Sequence, residues 1–204
     1  MGFCASLRHV GLGLRMPQET ELVIAAPTPY LAHLTYHFPQ ISFAAQNVSL
    51  HENYGAYTGE TSALMLDSCG VKYCIVGHQE RRRDSGETDY IVKLKADNCI
   101  RAGITPIMCL GDDLSLRPSI DGKFMLAFEP KGSIGTGVLP TSEELDCVFG
   151  ALKNQVAKSV NLVYGGSVNA SNLAVIKGAS NVDSILIGGA ALQVHELVKI
   201  LEDW

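Results

Sequence analysis

The 204-residue sequence is short of charge, and its small charge excess is acidic rather than basic. Charged residues make up 18% of the chain and the formal net charge is −5, whereas nucleic-acid-binding domains usually carry a basic face. No apolar run reaches the ~18 residues that a membrane span needs. We therefore expect neither a nucleic-acid-binding protein nor a membrane-spanning one. Hydrophobic residues still reach 47%, which is typical of a globular chain with a sizeable core.

The sequence also lacks a CxxC pair among its six cysteines, and it lacks a clear secretory signal. Several cysteines lie in apolar runs such as VKYCIVG and PIMCLG, which favours reduced core thiols over a disulfide framework. Arg8 and His9 interrupt the apolar stretch near the start, which a secretory leader would keep continuous. These features predict a cytoplasmic protein.

Seven short apolar runs recur along the chain and are near-continuously hydrophobic rather than alternating. This pattern is typical of strands buried on both faces, as in a parallel sheet covered by helices. Helix-like segments separate the runs without a linker, which predicts a single α/β domain over residues 1–204. An open doubly wound sheet and a closed barrel both fit, although no G-x-G-x-x-G follows the first run. The runs are Glu21–Ala26, Ile41–Gln46, Lys72–Gly77, Thr105–Gly111, Phe124–Glu129, Asn161–Gly166 and Ser184–Gly189.

Three threonines are candidate N-caps of the intervening helices. Thr28 precedes Pro29, and proline is favoured in the first turn of a helix. Thr61 precedes the apolar stretch SALML. Thr141 is followed by two glutamates in the predicted first turn, where the helix dipole favours negative charge.

Polar side chains follow two of the predicted strands, at the end where α/β folds bind their ligands. Glu129 ends the run FMLAF, and a carboxylate partly withdrawn from water is a stronger base. His78 follows YCIVG, where a neutral imidazole would donate a hydrogen bond to a carbonyl and polarise it. Both residues also fit purely structural roles at a strand end. Glu80 and Arg81 come next, either as a surface pair or with Arg81 paired to Glu87.

Three glycine-rich stretches, SIGTG, GGS and GGA, also fall at predicted strand tips. Glycines let a ligand approach the backbone and leave several N–H donors accessible, and GGA is predicted to open the last helix, whose N-terminus would attract anions. Together the three stretches match the recurrent phosphate site of barrel folds. A base, an electrophile and a phosphate cradle predict proton abstraction next to the carbonyl of a small sugar phosphate.

Five motifs, in this order, resemble those of the triosephosphate isomerase family. They are AAQNV with GAYTGETSALML, GHQERR (usually GHSERR in the family), AFEP with IGTG, YGGSVNASN, and GGAAL. The resemblance extends from about Leu22 to Trp204. It implies a (β/α)8 TIM barrel that interconverts dihydroxyacetone phosphate and D-glyceraldehyde 3-phosphate in central carbon metabolism.

The resemblance also implies roles for individual residues. Glu129 would be the base that moves a proton between two substrate carbons, His78 the neutral electrophile, and Glu80 a supporting carboxylate. The residues implied to hold the phosphate through backbone amides are Gly135, Ser167, Gly188 and Gly189.

The family resemblance has implications for partners and cofactors as well. It implies no cofactor and no metal, and a homodimer in which the loop Asn53–Thr58 inserts into the partner subunit. It also implies that the loop Pro130–Gly137 closes over the substrate and excludes water.

Two departures from the family pattern concern missing pieces. The family begins with a strand that ends in an N-x-K motif, whose lysine contacts substrate, and this sequence begins after it. The segment Asp112–Lys123 is also shorter than the family's connection between strands five and six. In the family's strand numbering, the sequence therefore predicts a barrel lacking the first strand and the helix between strands five and six.

Two interpretations of these departures stay open at the level of sequence. The chain is either an incomplete version of an active isomerase or a truncated, non-catalytic relative that binds a phosphate ligand or a partner protein. Within enzymes, the rival is a different sugar-phosphate isomerase, which the five ordered motifs disfavour.

Overall fold

The structure is a computed structural model that describes residues 20–110, 120–130 and 139–204. Within these ranges, seven strands form at the seven predicted apolar runs. They are β1 (Val23–Ala26), β2 (Ser42–Ala45), β3 (Tyr73–Val76), β4 (Thr105–Leu110), β5 (Met125–Phe128), β6 (Asn161–Gly166) and β7 (Ser184–Ile187).

In the described residues, helices lie between consecutive strands everywhere except between β4 and β5, as the alternating pattern predicts. The helices in the described residues are α1 (Thr28–His37), α2 (Ala63–Ser68), α3 (Gln79–Ser85), α4 (Asp89–Arg101), α5 (Ser142–Lys153), α6 (Leu173–Lys177) and α7 (Val194–Asp203), with a 3-10 helix at Gly189–Leu192. None of these helices is long and apolar enough to cross a membrane.

The strand pairs β1–β2, β2–β3, β3–β4 and β6–β7 are parallel, and strand order in the sheet follows chain order. Parallel neighbours need a crossover connection, which the helices between these strands provide. The α/β class and the parallel sheet are thus confirmed. The predicted loss of the first strand and of one helix falls mainly on residues 1–19 and 111–119, which lie outside the described residues.

Contacts divide the chain into two compact units, one formed by Leu22–Leu126 and the other containing Ala127–Trp204. The first unit buries α1 through Leu31 and Leu34, and it buries Phe43 of β2. Parallel strands covered by helices bury their side chains on both faces, which explains the continuous apolar runs. The single domain predicted from sequence stays a prediction.

The core of the second unit is built around Phe149 of α5, which is fully buried. Leu145 and Leu152 lie on the same face of this helix and are also buried. The Phe149 ring meets Phe128 of β5 edge-on, with centroids 5.9 Å apart, and Tyr164 of β6 at 6.4 Å. Edge-to-face packing of three aromatic rings joins α5 to the two strands that it connects.

Of the three predicted N-caps, only Thr141 is confirmed. Its Oγ1 accepts from the Glu144 backbone N at 3.2 Å, and Glu144 Oε2 accepts from the Thr141 backbone N at 2.8 Å, which completes a capping box. The Thr28 prediction is wrong, because Thr28 is already helical and the N-cap position is Pro27. The Thr61 prediction is wrong by one residue, because Ser62 accepts from Met65 N at 3.3 Å.

The expectation of buried thiols is confirmed for Cys74, Cys99 and Cys109, whereas Cys69 is partly exposed and Cys147 is exposed. A hydrogen bond with Cys99, together with burial, holds the pKa of the Cys74 thiol well above its ordinary value. This thiol is therefore a packing group rather than a reactive one.

The contrast between Thr141 and Thr28 gives a test of the capping box. Thr141→Ala removes the acceptor for the Glu144 N–H, so we expect the free energy of unfolding to fall by about 1 kcal/mol in urea denaturation. Thr28→Ala removes an exposed hydroxyl from a position without a capping bond, and its effect should stay within about 0.5 kcal/mol. Equal losses for the two variants would contradict the assignment.

Candidate active site

His78 lies one residue beyond Gly77, which follows the tip of β3, and it serves as the N-cap of α3. Its Nδ1 accepts a hydrogen bond from the Glu80 backbone N at 3.4 Å. An imidazole nitrogen that accepts carries no proton, so the neutral ring carries its proton on Nε2. The local fold thus selects the tautomer in which Nε2 is a hydrogen-bond donor, as an electrophile requires.

Glu80 is brought next to His78 by the first turn of α3. Its Oε2 lies 3.7 Å from His78 Nδ1, and its side chain is 67% exposed. A carboxylate in the first turn of a helix is favoured by the helix dipole. The structure therefore places these two predicted site residues together.

The turn between β3 and α3 requires glycine at Gly77. Its φ is +70°, and a Cβ at this position would lie 2.7 Å from Cγ2 of Val92 in α4. Arg82 holds the turn closed, since its Nε donates to the Gly77 carbonyl at 2.8 Å and its Nη1 donates to Asp89 at 2.7 Å. Arg82 Nη2 also reaches the carbonyl of Cys109 in β4 at 3.4 Å. The position of His78 is therefore set by contacts from α4 and β4.

An ionic cluster consists of Arg81, Glu87, Lys95 and Asn47, of which Glu87 and Lys95 are buried and Arg81 is 42% exposed. Glu87 Oε1 accepts from Arg81 Nε at 2.9 Å and from Lys95 Nζ at 2.6 Å. Lys95 Nζ also donates to Asn47 Oδ1 at 2.8 Å, which links α4 to the loop after β2. The pairing of Arg81 with Glu87 is confirmed, but Glu87 is buried, so this is not a surface ion pair.

Two opposing effects act on the Glu87 carboxyl. Burial works to raise its pKa, whereas the hydrogen bonds from Lys95 and Arg81 lower it, and the balance holds the pKa below its ordinary value. Glu87 is therefore charged in the folded protein at neutral pH, where it compensates the buried ammonium of Lys95.

Asn47, Arg82 and Lys95 were not identified from the sequence. The signal for Lys95 was present, because it falls on the same face of α4 as the buried Val92, Ala96 and Cys99. A lysine on an apolar helix face must find a buried partner, since Lys is almost never fully buried unpaired. Which partner it finds depends on the loop geometry.

Glu129 follows β5 directly and is 3% exposed. It lies against Gly165 of β6, where a Cβ would be 2.7 Å from Glu129 Cγ and 3.0 Å from Oε1. Any larger residue than glycine at position 165 would displace the glutamate. The structure thus confirms a buried carboxylate at a strand tip, held by close packing on the neighbouring strand.

The register of β6 and β7 brings two predicted phosphate-binding stretches side by side. Gly166 is paired with Ile187, so Ser167 and Gly188 follow at the same edge. The Ser167 carbonyl accepts from Asn172 Nδ2 at 2.6 Å, which shapes the loop after β6. Among the residues that the structure describes, none has an atom within 4 Å of a Cβ placed at Gly188 or Gly189, so those residues leave the backbone there open to a ligand.

One prediction about this edge is wrong and another lies outside the described residues. Gly188 and Gly189 do not open the last helix, because the 3-10 helix intervenes and α7 begins only at Val194. Any anion there would meet individual backbone amides rather than the N-terminus of α7. Gly135 and most of the loop Pro130–Gly137 lie outside the described residues.

The two groups of site residues belong to different units of the chain. His78 and Glu80 lie in the unit Leu22–Leu126, while Glu129, Ser167, Gly188 and Gly189 lie in the unit that contains Ala127–Trp204. The structure brings residues together within each group, as described above.

Comparison with known proteins agrees with the observed fold. The family model described as triosephosphate isomerase matches residues 6–204. The chain is 37% identical to the triosephosphate isomerase of Paracidovorax citrulli, over 94% of this chain and 87% of that protein. It is 39% identical to the triosephosphate isomerase of Thermus thermophilus, over 91% of this chain and 86% of that protein.

The fold is also similar to that of a solved structure. The triosephosphate isomerase of Bartonella henselae superposes with a TM-score of 0.76 and 28% identity, over 88% of this chain and 84% of that one. The fold and the family match define a TIM-barrel isomerase enzyme. The chain belongs to the triosephosphate isomerase family.

The Glu87 cluster predicts a defined pH dependence of stability. Because the folded-state pKa of Glu87 is lowered, its contribution is complete above the ordinary glutamate pKa of about 4.3 and is lost as the pH falls through the folded value. Glu87→Gln should reduce the free energy of unfolding by about 3 kcal/mol at pH 7, since it leaves Lys95 without a buried counter-charge. The difference from wild type should shrink below pH 4.

Urea denaturation between pH 7 and pH 3.5 measures this dependence, with Glu52→Gln as the matched control. Glu52 pairs with Arg101 at 3.1 Å, but both side chains are about half exposed, so the control should change stability by less than about 0.5 kcal/mol. A Glu87→Gln effect that is equally small would show that the cluster contributes no net stability. A large effect that is independent of pH would show that the contribution does not come from the charge of Glu87.

Proposed function

We propose that this protein interconverts dihydroxyacetone phosphate and D-glyceraldehyde 3-phosphate, with Glu129 as the base. The observation that carries the proposal is the buried carboxylate of Glu129, held against the backbone of Gly165 at the tip of β5. A base enclosed by packing keeps its position relative to a bound substrate, and correct positioning supplies much of the rate of such reactions.

In the proposed reaction, the Glu129 carboxylate takes the proton from the carbon next to the substrate carbonyl. The Nε2–H of His78 donates a hydrogen bond to the carbonyl oxygen and stabilises the negative charge that develops there. Glu129 then returns the proton to the neighbouring carbon, while the hydroxyl proton on the deprotonated carbon's oxygen passes to the former carbonyl oxygen. Aldehyde and ketone thereby exchange places with all protons accounted for. Glu80 is proposed as a supporting carboxylate on the basis of the family resemblance, and it lies in the first turn of α3 beside His78.

The phosphate group would be held by backbone amides. The register of β6 and β7, which sets Ser167 beside Gly188 at one edge, supports this role for Ser167, Gly188 and Gly189. Gly135 is proposed to join them on the basis of the family resemblance. Glycine allows the phosphate oxygens to approach the backbone closely. Neither a cofactor nor a metal has a role in this scheme, since proton transfer within one substrate needs neither.

Replacing the base tests the mechanism. Glu129→Asp withdraws the carboxylate by one methylene, and a misplacement of about 1 Å lowers the rate by about 100-fold. We expect this loss in kcat, measured with glyceraldehyde 3-phosphate, while Glu143→Asp on the exposed first turn of α5 should leave kcat unchanged. Full activity in Glu129→Asp would exclude Glu129 as the base.

The same preparation distinguishes an enzyme from a phosphate-binding relative. Phosphoglycolate should raise the melting temperature of the wild type, because a ligand that binds only the folded state stabilises it. Stabilisation by phosphoglycolate without any turnover by the folded wild-type protein would support the non-catalytic alternative instead.

We further propose that the protein is a cytoplasmic homodimer that acts in glycolysis and gluconeogenesis and that does not bind nucleic acid. Support for the dimer comes from the loop Asn53–Thr58, whose Tyr54 is 67% exposed. This exposed loop has a defined shape, because Tyr57 stacks on His51 at a centroid distance of 3.5 Å. A preformed loop with exposed aromatic rings is suited to a protein interface.

A charge at the loop tip tests this interface. Tyr54→Glu would bury a carboxylate in the partner subunit, so we expect sedimentation to show monomers where the wild type is dimeric. Tyr36→Glu, at an 81% exposed position on α1, should leave the dimer intact. A dimer that withstands Tyr54→Glu, or a monomeric wild type, would contradict the proposed arrangement.

A further inference from the structure

Two histidines of α1 lie on one exposed side of the helix. His33 and His37 are four residues apart, which places them on adjacent turns of the same face. Both side chains are exposed, and their ring centroids are 4.3 Å apart at an interplanar angle of 52°. Neither ring has a role in the proposed isomerase reaction.

This spacing is suited to chelation by imidazole. Two histidines at positions i and i+4 of a helix present nitrogens to a shared ion, as in metal-binding helices generally. Metal–nitrogen bonds to histidine are about 2.0 Å long, so rings that share an ion must lie within a few ångströms of each other. The rings of His33 and His37 satisfy this condition within the helix as it stands.

The surroundings of the pair also favour a cation. His37 is the last residue of α1, where the unpaired carbonyls give the helix end a partial negative charge. The edge of the Tyr36 ring lies against His37, with centroids 5.1 Å apart at 90°, which restricts the orientation of that imidazole. α1 contains no lysine or arginine that would repel an ion.

We propose that His33 and His37 form a two-histidine site for a divalent transition-metal ion of the copper–zinc class. Imidazole is a preferred ligand of both ions, and Cu²⁺ binds a given set of nitrogen ligands more tightly than Zn²⁺. In the described part of the chain, no group of three or more His, Cys, Asp or Glu side chains is arranged for a metal. Water molecules would therefore fill the remaining coordination positions of the ion.

Titration of the purified chain with Cu²⁺ tests the site. We expect one ion per chain with two nitrogen ligands in the electron paramagnetic resonance spectrum. His33→Ala and His37→Ala should each lower the affinity by about tenfold or more, because each removes the chelate effect of a second tethered ligand. Zn²⁺ should raise the melting temperature of the wild type, and neither single variant should keep this shift.

A variant with a displaced ligand separates chelation from the mere number of histidines. Combining His33→Ala with Ala32→His keeps six histidines but moves one ligand off the shared face of α1. This double variant should bind Cu²⁺ as weakly as His33→Ala alone. His195→Ala, at an exposed position on α7, should bind like the wild type.

Two results would overturn the proposal. One is Cu²⁺ binding that withstands both His33→Ala and His37→Ala, which would place the ion elsewhere. The other is a displaced-ligand variant that binds as tightly as the wild type. Because all of these positions are exposed and alanine is the best helix former, circular dichroism should show unchanged helix content in both single variants.

Discussion

Parallel pairing of the strands is the constraint on which the rest of the structure depends. A parallel strand ends at the same edge as its neighbour, so the chain must return along a helix before it can pair again. The register within β1–β4 and between β6 and β7 therefore sets where each strand tip lies. His78 in one unit, and Ser167 and Gly188 in the other, are all residues that follow such tips.

Close contact between side chains and glycine backbone then sets the position of the reactive groups. Gly77 admits Val92 of α4 at the turn that carries His78, and Gly165 admits Glu129 on the neighbouring strand. In both places a Cβ would lie 2.7 Å from a side-chain carbon, which is closer than packed atoms tolerate. Gly77 and Gly165 thus leave the space that Val92 and Glu129 occupy next to the backbone.

The buried ion pair of Lys95 and Glu87 further restricts how the segments around α4 are arranged. Lys95 and Glu87 are almost completely buried, and neither would tolerate loss of the other. Their hydrogen bonds join α4, the segment before it and the loop after β2. A cluster of this kind favours one arrangement of these segments over alternatives that would leave a buried charge unpaired.

The sequence by itself determined the seven strands, the capping box at Thr141 and the motifs of the triosephosphate isomerase family, because each depends on residues close together in the chain. Only the tertiary structure decided which distant groups become hydrogen-bond partners. Lys95 donates a hydrogen bond to Asn47, which is 48 residues away in the sequence. Ser62, not Thr61, is the N-cap of α2, and the Thr61 carbonyl instead accepts from Ser49 N at 2.9 Å. Local patterns specify which groups need partners, whereas the partner is chosen by contacts between segments far apart in sequence.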